Sequence, residues 1–172
     1  TDESEVAVLQ KHMTMIGQSV TKLDGFITDI VLYSKNTKAE LELTNINLQK
    51  IIEGIFQQCA HIKNSKKIHQ TFNLKVNNGA VFCSDFFRLN VIFNNLIGNA
   101  IRYHELKNTT PNIKVKAEIN KEMVVVKVID NGAGIDEKFQ KRVFEMFFRG
   151  SNASVGTGLG LYIAKEAVKK IG

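Results

Sequence analysis

The sequence lacks the features that mark membrane-spanning and disulfide-rich proteins. It has no run of 18 apolar residues, the length that a membrane-spanning helix needs, and no recognisable signal peptide. It has two cysteines, Cys59 and Cys83, which lie in apolar contexts without CxxC spacing. We therefore expect a cytoplasmic location, no membrane contact by this chain, and two reduced cysteines in the core.

The distribution of positive charge along the sequence does not match that of a nucleic-acid interface. The net charge is +6, and because residues 1–35 carry −2, the remainder carries +8. Such a basic module suits a polyanion: nucleic acid, anionic lipid or the phosphate tail of a nucleotide. No stripe of Arg and Lys with interleaved aromatic residues is present, so we expect no nucleic-acid partner.

Residues 1–36 carry an apolar repeat of seven. The repeat occupies successive a and d positions at Val6, Leu9, Met13, Ile16, Val20, Leu23, Ile27 and Ile30. Four unbroken heptads predict a long helix in a coiled coil or helical bundle. One helix cannot bury this stripe alone, so the pattern also predicts homodimerisation.

The rest of the chain alternates between helical and strand-like segments. Asn77-Asn78-Gly79 is a typical hairpin turn and predicts that the strands on either side of it pair. The predicted strands are 41–46, 68–76, 80–84, 112–119 and 123–130, and the predicted helices are 47–62, 85–103, 138–143 and 160–171. This order predicts an α+β fold, a two-layer α/β sandwich.

Three segments carry candidate binding chemistry. In FNNLIGNAIRY (residues 93–103), Asn95 and Asn99 lie one helical turn apart on an otherwise apolar helix, so backbone, water or a ligand must satisfy their amides. In VIDNGAGI (residues 128–135), Asp130 ends a strand before a glycine turn, which is either an ordinary capped turn or a site for a flat ligand. In GTGLGLYIAKEAV (from Gly156), glycines open into a helix, as at phosphate sites.

The third segment matches neither common phosphate loop. A Walker A loop needs a Gly-Lys pair, and none occurs in the chain. The dinucleotide fingerprint needs G-x-G-x-x-G after a βαβ unit, which is also absent. Each segment alone is therefore weak evidence for a ligand.

The ordered set resembles the ATP-binding domain of sensor histidine kinases. This domain belongs to a superfamily shared with gyrase, mismatch-repair and heat-shock chaperone ATPases. The N box is matched by Asn95-Leu96-x-x-Asn99-Ala100, and the G1 box by Asp130-x-Gly132-x-Gly134-Ile135. The F box is matched by Phe144-x-x-Phe147 with Arg149, and the G2 box by Gly156-Thr157-Gly158-Leu159-Gly160-Leu161. Residues 1–38 resemble the second helix of that family's dimerisation hairpin, and residues 39–172 resemble its Bergerat-type ATP-binding domain without the final strands.

The resemblance implies a role for each matched residue. ATP and Mg²⁺ are the implied cofactors, with the Asn99 oxygen on the metal and Asn95 facing the phosphates or a metal-bound water. Arg102 and Tyr103 would line the pocket, Asp130 would accept from the adenine amine, and Gly132 and Gly134 would leave room for the ring. Arg149 would reach the terminal phosphate. Ile135, Phe147 and the whole G2 box, residues 156–161, complete the implied nucleotide contacts, with residues 150–155 as a short lid.

Position 95 separates branches of the superfamily. The hydrolytic relatives place glutamate there as a general base, and Asn95 cannot abstract a proton. The resemblance therefore implies transfer of the γ-phosphoryl group to a histidine and then to an aspartate of a response-regulator receiver domain. None of His12, His61, His69 and His104 lies in the family's H box, so we expect the acceptor upstream of this chain. A membrane-bound sensor whose cytoplasmic part includes this chain is compatible with that expectation.

Three alternatives remain open at the level of sequence. One is a nucleotide-binding switch or ATPase of the same superfamily without histidine kinase activity. Another is a binding module that uses nucleotide structurally, as in a degenerate or anti-sigma-like kinase. The third is a coiled-coil protein whose glycines match by coincidence.

Overall fold

A computed structural model of the chain describes residues 2–61, 68–77, 79–104, 110–150 and 156–172. Its helices are α1 (Asp2–Lys38), α2 (Leu48–Gln58), α3 (Phe86–Arg102), α4 (Glu137–Gln140) and α5 (Gly160–Ile171). Its strands are β1 (Leu43–Asn45), β2 (His69–Val76), β3 (Cys83–Asp85), β4 (Asn112–Ile119) and β5 (Val124–Asp130). A short 3₁₀ turn, Cys59–His61, follows α2.

The long helix presents two different faces. All eight heptad side chains are between 50% and 64% exposed, so the described part of the chain leaves the apolar stripe open. From Gly25 onward a second face turns inward, and Asn36 on that face is only 2% exposed. Among the residues that the structure describes, none of the helices has the length and hydropathy of a membrane span.

The main sheet has three strands in the order β2-β4-β5. β2 runs parallel to β4 over eight residue pairs, and β4 runs antiparallel to β5. Burial alternates along β4, where Ile113, Val115, Ala117 and Ile119 face the core and the residues between them are more exposed. Helices α2, α3 and α5 supply the apolar layer against this sheet. The predicted two-layer α/β sandwich is therefore confirmed.

The predicted hairpin between residues 68–76 and 80–84 is wrong. β3 pairs with β1 in a separate two-stranded antiparallel sheet, whereas β2 pairs with β4. The chain does turn here, because Gly79 has φ +63° and the Ala80 N–H donates to the Asn77 carbonyl at 3.1 Å, while Asn78 lies outside the described residues. The turn was therefore predicted correctly, but the strand that pairs with β2 is β4. The Asn77 N–H extends this pairing by donating to the Ile119 carbonyl at the end of β4.

The two cysteines differ in environment. Cys59 is free and buried, as predicted. Burial raises the pKa of its thiol, and the positive charge of Arg102 offsets only part of that rise. Cys83 is free but exposed, so its assignment to the core is wrong. It lies in the small β1–β3 sheet, where its thiol contacts the side-chain oxygen of Asn45 at 2.9 Å.

A buried arginine joins the long helix to the sandwich. Arg88 is 1% exposed, and its guanidinium makes five hydrogen bonds. Nε donates to Asn36 Oδ1, Nη2 to the carbonyls of Asn36 and Ala39, and Nη1 to the Glu40 carbonyl and to Asp85 Oδ2 at 2.6 Å. All five N–H groups are thus used, and three of the acceptors are carbonyls in the last turn of α1 or in the two residues that follow it.

Asp85 completes this joint. Its Oδ1 accepts from the Arg88 N–H at 2.8 Å as the N-cap of α3, and its Oδ2 accepts from the Glu42 N–H at 3.1 Å. Burial alone would raise the pKa of Asp85, but the hydrogen bonds from Arg88 and Glu42 outweigh burial and hold that pKa below its usual range.

Candidate nucleotide-binding site

Helix α3 places the N-box side chains. It begins at the Asp85 cap, buries Ile92, Ile97 and Ile101 on one side, and leaves Asn95 half-buried and Asn99 partly exposed. Asn95 Nδ2 donates to the Val91 carbonyl at 2.8 Å, and Asn99 Oδ1 accepts from Arg102 Nη2 at 2.9 Å. Both amides therefore have protein partners, and the Asn95 oxygen points toward α5.

The G2 box meets the N box at close range. A Cβ added to Gly160, the first residue of α5, would lie 2.3 Å from Asn95 Oδ1. Only glycine allows the start of α5 to approach Asn95 this closely. The contact sets a carboxamide oxygen beside a helix N-terminus, which is where an anion would bind.

The G1 turn is fastened to the other end of α3. Asp130 Oδ1 accepts from the Gly132 N–H at 2.9 Å, and the Ala133 N–H donates to the Tyr103 carbonyl at 3.0 Å. A Cβ at Gly132 would lie 2.6 Å from that same carbonyl oxygen. Gly134 has open space but φ +71°, so here the backbone conformation rather than the contact requires glycine. Ile135 follows, 52% exposed.

The F box packs against the G2 box. Phe147 has φ +64°, an uncommon backbone conformation for a residue with a side chain, and the residue is 58% exposed. A Cβ at Gly158 would lie 2.8 Å from the Phe147 carbonyl carbon. Arg149 is exposed two residues later, and residues 151–155 of the predicted lid lie outside the described residues.

These contacts bring most predicted site residues to one side of α3. Asn95 touches the G2 box, Tyr103 touches the G1 box, and Asn99 and Arg102 lie between them. At about 1.5 Å rise per residue, the row from Asn95 to Tyr103 is roughly 12 Å long. The glycines at 132, 158 and 160 are all sites of close approach, and Leu159 is buried at 4% exposure while Leu161 is half-buried.

The oxygen atoms at the site suit a hard cation that is also held by the phosphates of a bound nucleotide. The described residues contain no cluster of three or more His, Cys, Asp or Glu side chains able to bind a metal. Asn99 Oδ1 is a neutral oxygen of the kind that Mg²⁺ binds alongside water and phosphate ligands, and it would be free for the ion once Arg102 Nη2 releases it. The residues present therefore fit a nucleotide with its magnesium ion.

One contact at the site comes from a residue that the motif analysis missed. The Thr157 hydroxyl of the G2 box donates to Asp29 Oδ2 on α1, and it accepts from the Leu159 N–H at 3.2 Å. Nearby, the rings of Tyr33 and Tyr162 lie 5.8 Å apart, and a hydrogen bond with Tyr33 raises the pKa of Tyr162. The i, i+4, i+7 spacing of positions 29, 33 and 36 marks this second face of α1, and the heptad repeat obscured it.

The family follows from comparison of the sequence with known families. A family described as "Histidine kinase-, DNA gyrase B-, and HSP90-like ATPase" matches residues 84–172, slightly more than half of the chain. The chain belongs to this ATPase family. The resemblance stated from the four boxes is thereby confirmed.

Among individual relatives of this ATPase family, signal transduction histidine-protein kinase BarA of Escherichia coli (strain K12) is 32% identical over 181 residues. The match covers all of this chain but 20% of BarA, so the chain spans about a fifth of that relative's length.

Solved structures support the fold. Full-length ShkA in complex with AMPPNP matches 94% of this chain and 34% of its own, with TM-score 0.73 and 21% identity. The catalytic domain of histidine kinase ThkA, nucleotide-free, matches 76% of this chain and 82% of its own, with TM-score 0.62 and 25% identity. A long helix followed by an α/β ATPase domain with a mixed sheet is thus the fold of this chain and of histidine kinases.

Proposed function

We propose that this chain is part of a sensor histidine kinase, with residues 1–38 as a dimerisation helix and residues 39–172 as the ATP-binding domain. The observation that carries the proposal is the contact between Asn95 Oδ1 and Gly160, because it joins the N box to the helix N-terminus of the G2 box. The family match and the complete set of four boxes support the same assignment.

The site residues divide between the two ends of a nucleotide. Asp130 accepts a hydrogen bond from the exocyclic amine of adenine, and the turn at Gly132 and Gly134 leaves room for the ring. Asn95 and the residues 156–161 contact the phosphates, with Phe147 and Tyr103 at the rim. Asn99 supplies an oxygen ligand to Mg²⁺, which neutralises phosphate charge when bound. Because that oxygen now accepts from Arg102, Arg102 must release it and turn to the phosphates.

The reaction proposed for the intact protein is phosphoryl transfer rather than hydrolysis. The γ-phosphoryl group leaves ADP for a histidine imidazole upstream of this chain, and then passes to a carboxylate of a receiver domain. Arg149 stabilises the charge on the transferred group. Asn95 cannot take a proton from water, and its amide nitrogen is held by the Val91 carbonyl, which disfavours an ATPase of the chaperone sort.

Dimerisation is part of the proposal. The eight exposed heptad side chains form one continuous apolar stripe along α1. An apolar surface of this length is normally covered by another helix. A second copy of the same helix, with its hairpin partner, would cover it in a four-helix bundle. The dimer would hold each ATP site near an acceptor histidine.

Calorimetric titration with AMPPNP tests the nucleotide site. We expect the chain to bind AMPPNP more tightly with Mg²⁺ than without it, and Asn99→Ala to lose that dependence. Asn90→Ala is the matched control, since Asn90 lies on the same helix and its side chain donates to the Phe86 carbonyl of that helix. Absence of binding by the folded chain would contradict the proposal, as would Mg²⁺ dependence that survives Asn99→Ala.

Transfer to histidine needs the longer protein. Incubation with γ-labelled ATP should give a phosphoprotein that is labile in acid and stable in alkali, and the label should move to a receiver domain. Steady release of inorganic phosphate without a labelled intermediate would favour the ATPase alternative.

A further inference from the structure

One face of α1 packs against the nucleotide-binding domain, and three of its contacts come from side chains at regular spacing. Asp29 bonds Thr157, Tyr33 packs on Tyr162, and Asn36 bonds Arg88. Their i, i+4, i+7 spacing forms one stripe along the helix, separate from the exposed heptad stripe. The first of these contacts reaches into the G2 box itself, where Thr157 Cγ2 would also lie 3.7 Å from a Cβ at Gly25.

The Asp29 contact uses the polar groups of the G2 turn. A threonine hydroxyl has one proton, and the Thr157 proton is donated to Asp29 Oδ2. The Leu159 N–H, the last amide before α5, donates to the same hydroxyl oxygen. In this arrangement neither donor is available to a phosphate oxygen. The Asp29 carboxylate also places a negative charge beside a turn that would receive a polyanion.

We propose that Asp29 is a positioning residue of the nucleotide site, which acts through Thr157 so that docking of α1 and binding of the triphosphate tail oppose each other. This inference rests on the proposed function, because it assumes that the G2 turn binds phosphates. By linkage, if Asp29 weakens triphosphate binding, the triphosphate weakens the contact of α1 with the G2 turn by the same factor. The effect belongs to the phosphates and not to the adenine, which binds at the other end of α3.

Nucleotides that differ in the number of phosphates separate this role from a merely structural one. We would titrate the chain with adenosine, ADP and AMPPNP in Mg²⁺, as wild type, Asp29→Asn and Asp29→Ala. Asp29→Asn removes the charge and keeps an acceptor, and Asp29→Ala removes both. We expect AMPPNP affinity to rise at least about fivefold in Asp29→Ala and less in Asp29→Asn, with adenosine affinity unchanged.

Asp24→Ala is the matched control for charge. Asp24 lies on the same helix, is exposed, and its removal changes the net charge by the same amount. It should leave the affinity for all three ligands unchanged. An equal gain in Asp24→Ala would show a general charge effect and overturn the specific role of Asp29.

A fluorescence measurement reads the reciprocal effect. The sequence has no tryptophan, so Tyr33→Trp places a single indole at the contact with Tyr162. Saturating AMPPNP should shift its emission to longer wavelength as the indole becomes exposed, and adenosine should not. In the Asp29→Ala background the shift should be smaller, because the contact is already weakened.

The possible failures are distinguishable. If folded wild type binds no AMPPNP, the proposed function fails and this inference falls with it. If wild type binds AMPPNP and Asp29→Ala binds it equally well, or less well, the proposed function stands and the opposition is wrong. Emission of the Tyr33→Trp chain that does not change at saturating AMPPNP would overturn it too.

Discussion

At the residue scale, glycine positions explain how the boxes come together. Gly132, Gly158 and Gly160 each lie where a Cβ would fall within 3 Å of another part of the site. The sequence motifs singled out these glycines, but they did not say which atom each one approaches. That information depends on tertiary packing, so the contacts to Tyr103, Phe147 and Asn95 emerge only from the fold.

Gly160→Ala should impair nucleotide binding more than folding. The added methyl must displace the Asn95 amide, which is held by the Val91 carbonyl, while alanine otherwise suits a helix. We expect AMPPNP affinity to fall about tenfold or more, a change of about 1.4 kcal/mol. Calorimetry measures the affinity, and thermal unfolding measures the stability.

Gly54→Ala is the control for helix propensity. Gly54 lies within α2 with nothing within 4 Å of an added Cβ, so the substitution should stabilise the chain by about 0.5–1 kcal/mol. Normal AMPPNP affinity in Gly160→Ala would show that Asn95 does not contact the ligand.

The lowered pKa of Asp85 predicts how stability depends on pH. The ionised form is favoured in the folded state, so its contribution is complete above the unfolded pKa near 4 and is lost as pH falls through the folded pKa. Asp85→Asn leaves Arg88 without its carboxylate and should cost about 3–5 kcal/mol at neutral pH. The difference from wild type should be constant above about pH 5 and shrink below about pH 4. Urea unfolding across pH measures it, and a difference that grows in acid would contradict this account.

At the element scale, periodic segments were the most predictable. The heptad repeat predicted α1, and the predicted helix starts at 47 and 85 lie close to those of α2 and α3. There the Asn47 and Asp85 side chains each accept from the backbone N–H three residues on. The β2–β3 hairpin was mispredicted because turn residues specify a reversal and not the partner strand. The parallel pairing of β2 with β4 joins residues 43 apart, and no local signal indicates it.

Arg88 was not predicted either, although it fixes α1 to α3. Its five acceptors come from four residues between 36 and 85, which meet only in the folded chain. Arg88→Lys keeps the charge but replaces a planar five-donor fork with three donors. We expect a loss of about 2–3 kcal/mol in unfolding free energy, since buried acceptors are left unpaired.

Arg142→Lys is the matched control for this substitution. The Arg142 side chain is 55% exposed at the surface, where it pairs with Glu145 and its Cζ lies 4.6 Å from the centroid of the Phe148 ring, so the change should cost no more than about 1 kcal/mol. Hydrogen exchange at residues 36–40 should accelerate only in Arg88→Lys. Equal stability of the two variants in denaturant would contradict the role given to Arg88.

At the scale of the whole molecule, α1 serves two surfaces at once. Its heptad face is open, and its other face contacts the α/β sandwich near Thr157, Tyr162 and Arg88. A change in how the helix packs in a dimer would thus alter its contacts with the G2 turn. The sequence predicted the first surface from its periodicity, whereas the second surface mixes Phe26, Leu32 and Tyr33 with polar residues and became visible only through its contacts.

The exposed apolar stripe of α1 predicts a dimer, and one charged side chain within the stripe should disrupt that dimer. Ile16→Glu places a carboxylate in the centre of the apolar stripe and should shift the chain toward monomer by at least about tenfold in dissociation constant. Gln18→Glu, on the outer side of the same helix, is the control and should leave the dimer intact. Sedimentation equilibrium measures both, and a wild type that is monomeric at high concentration would contradict dimerisation through this face.

The most direct test of the central claim compares adenine with guanine at Asp130. The account places an adenine amine at the Asp130 carboxylate, so the chain should bind AMPPNP at least about tenfold more tightly than GMPPNP in Mg²⁺. Asp130→Asn should weaken AMPPNP binding and remove most of that preference. Equal binding of the two nucleotides by wild type, or a preference that survives in Asp130→Asn, would contradict the assignment of this turn as the adenine site.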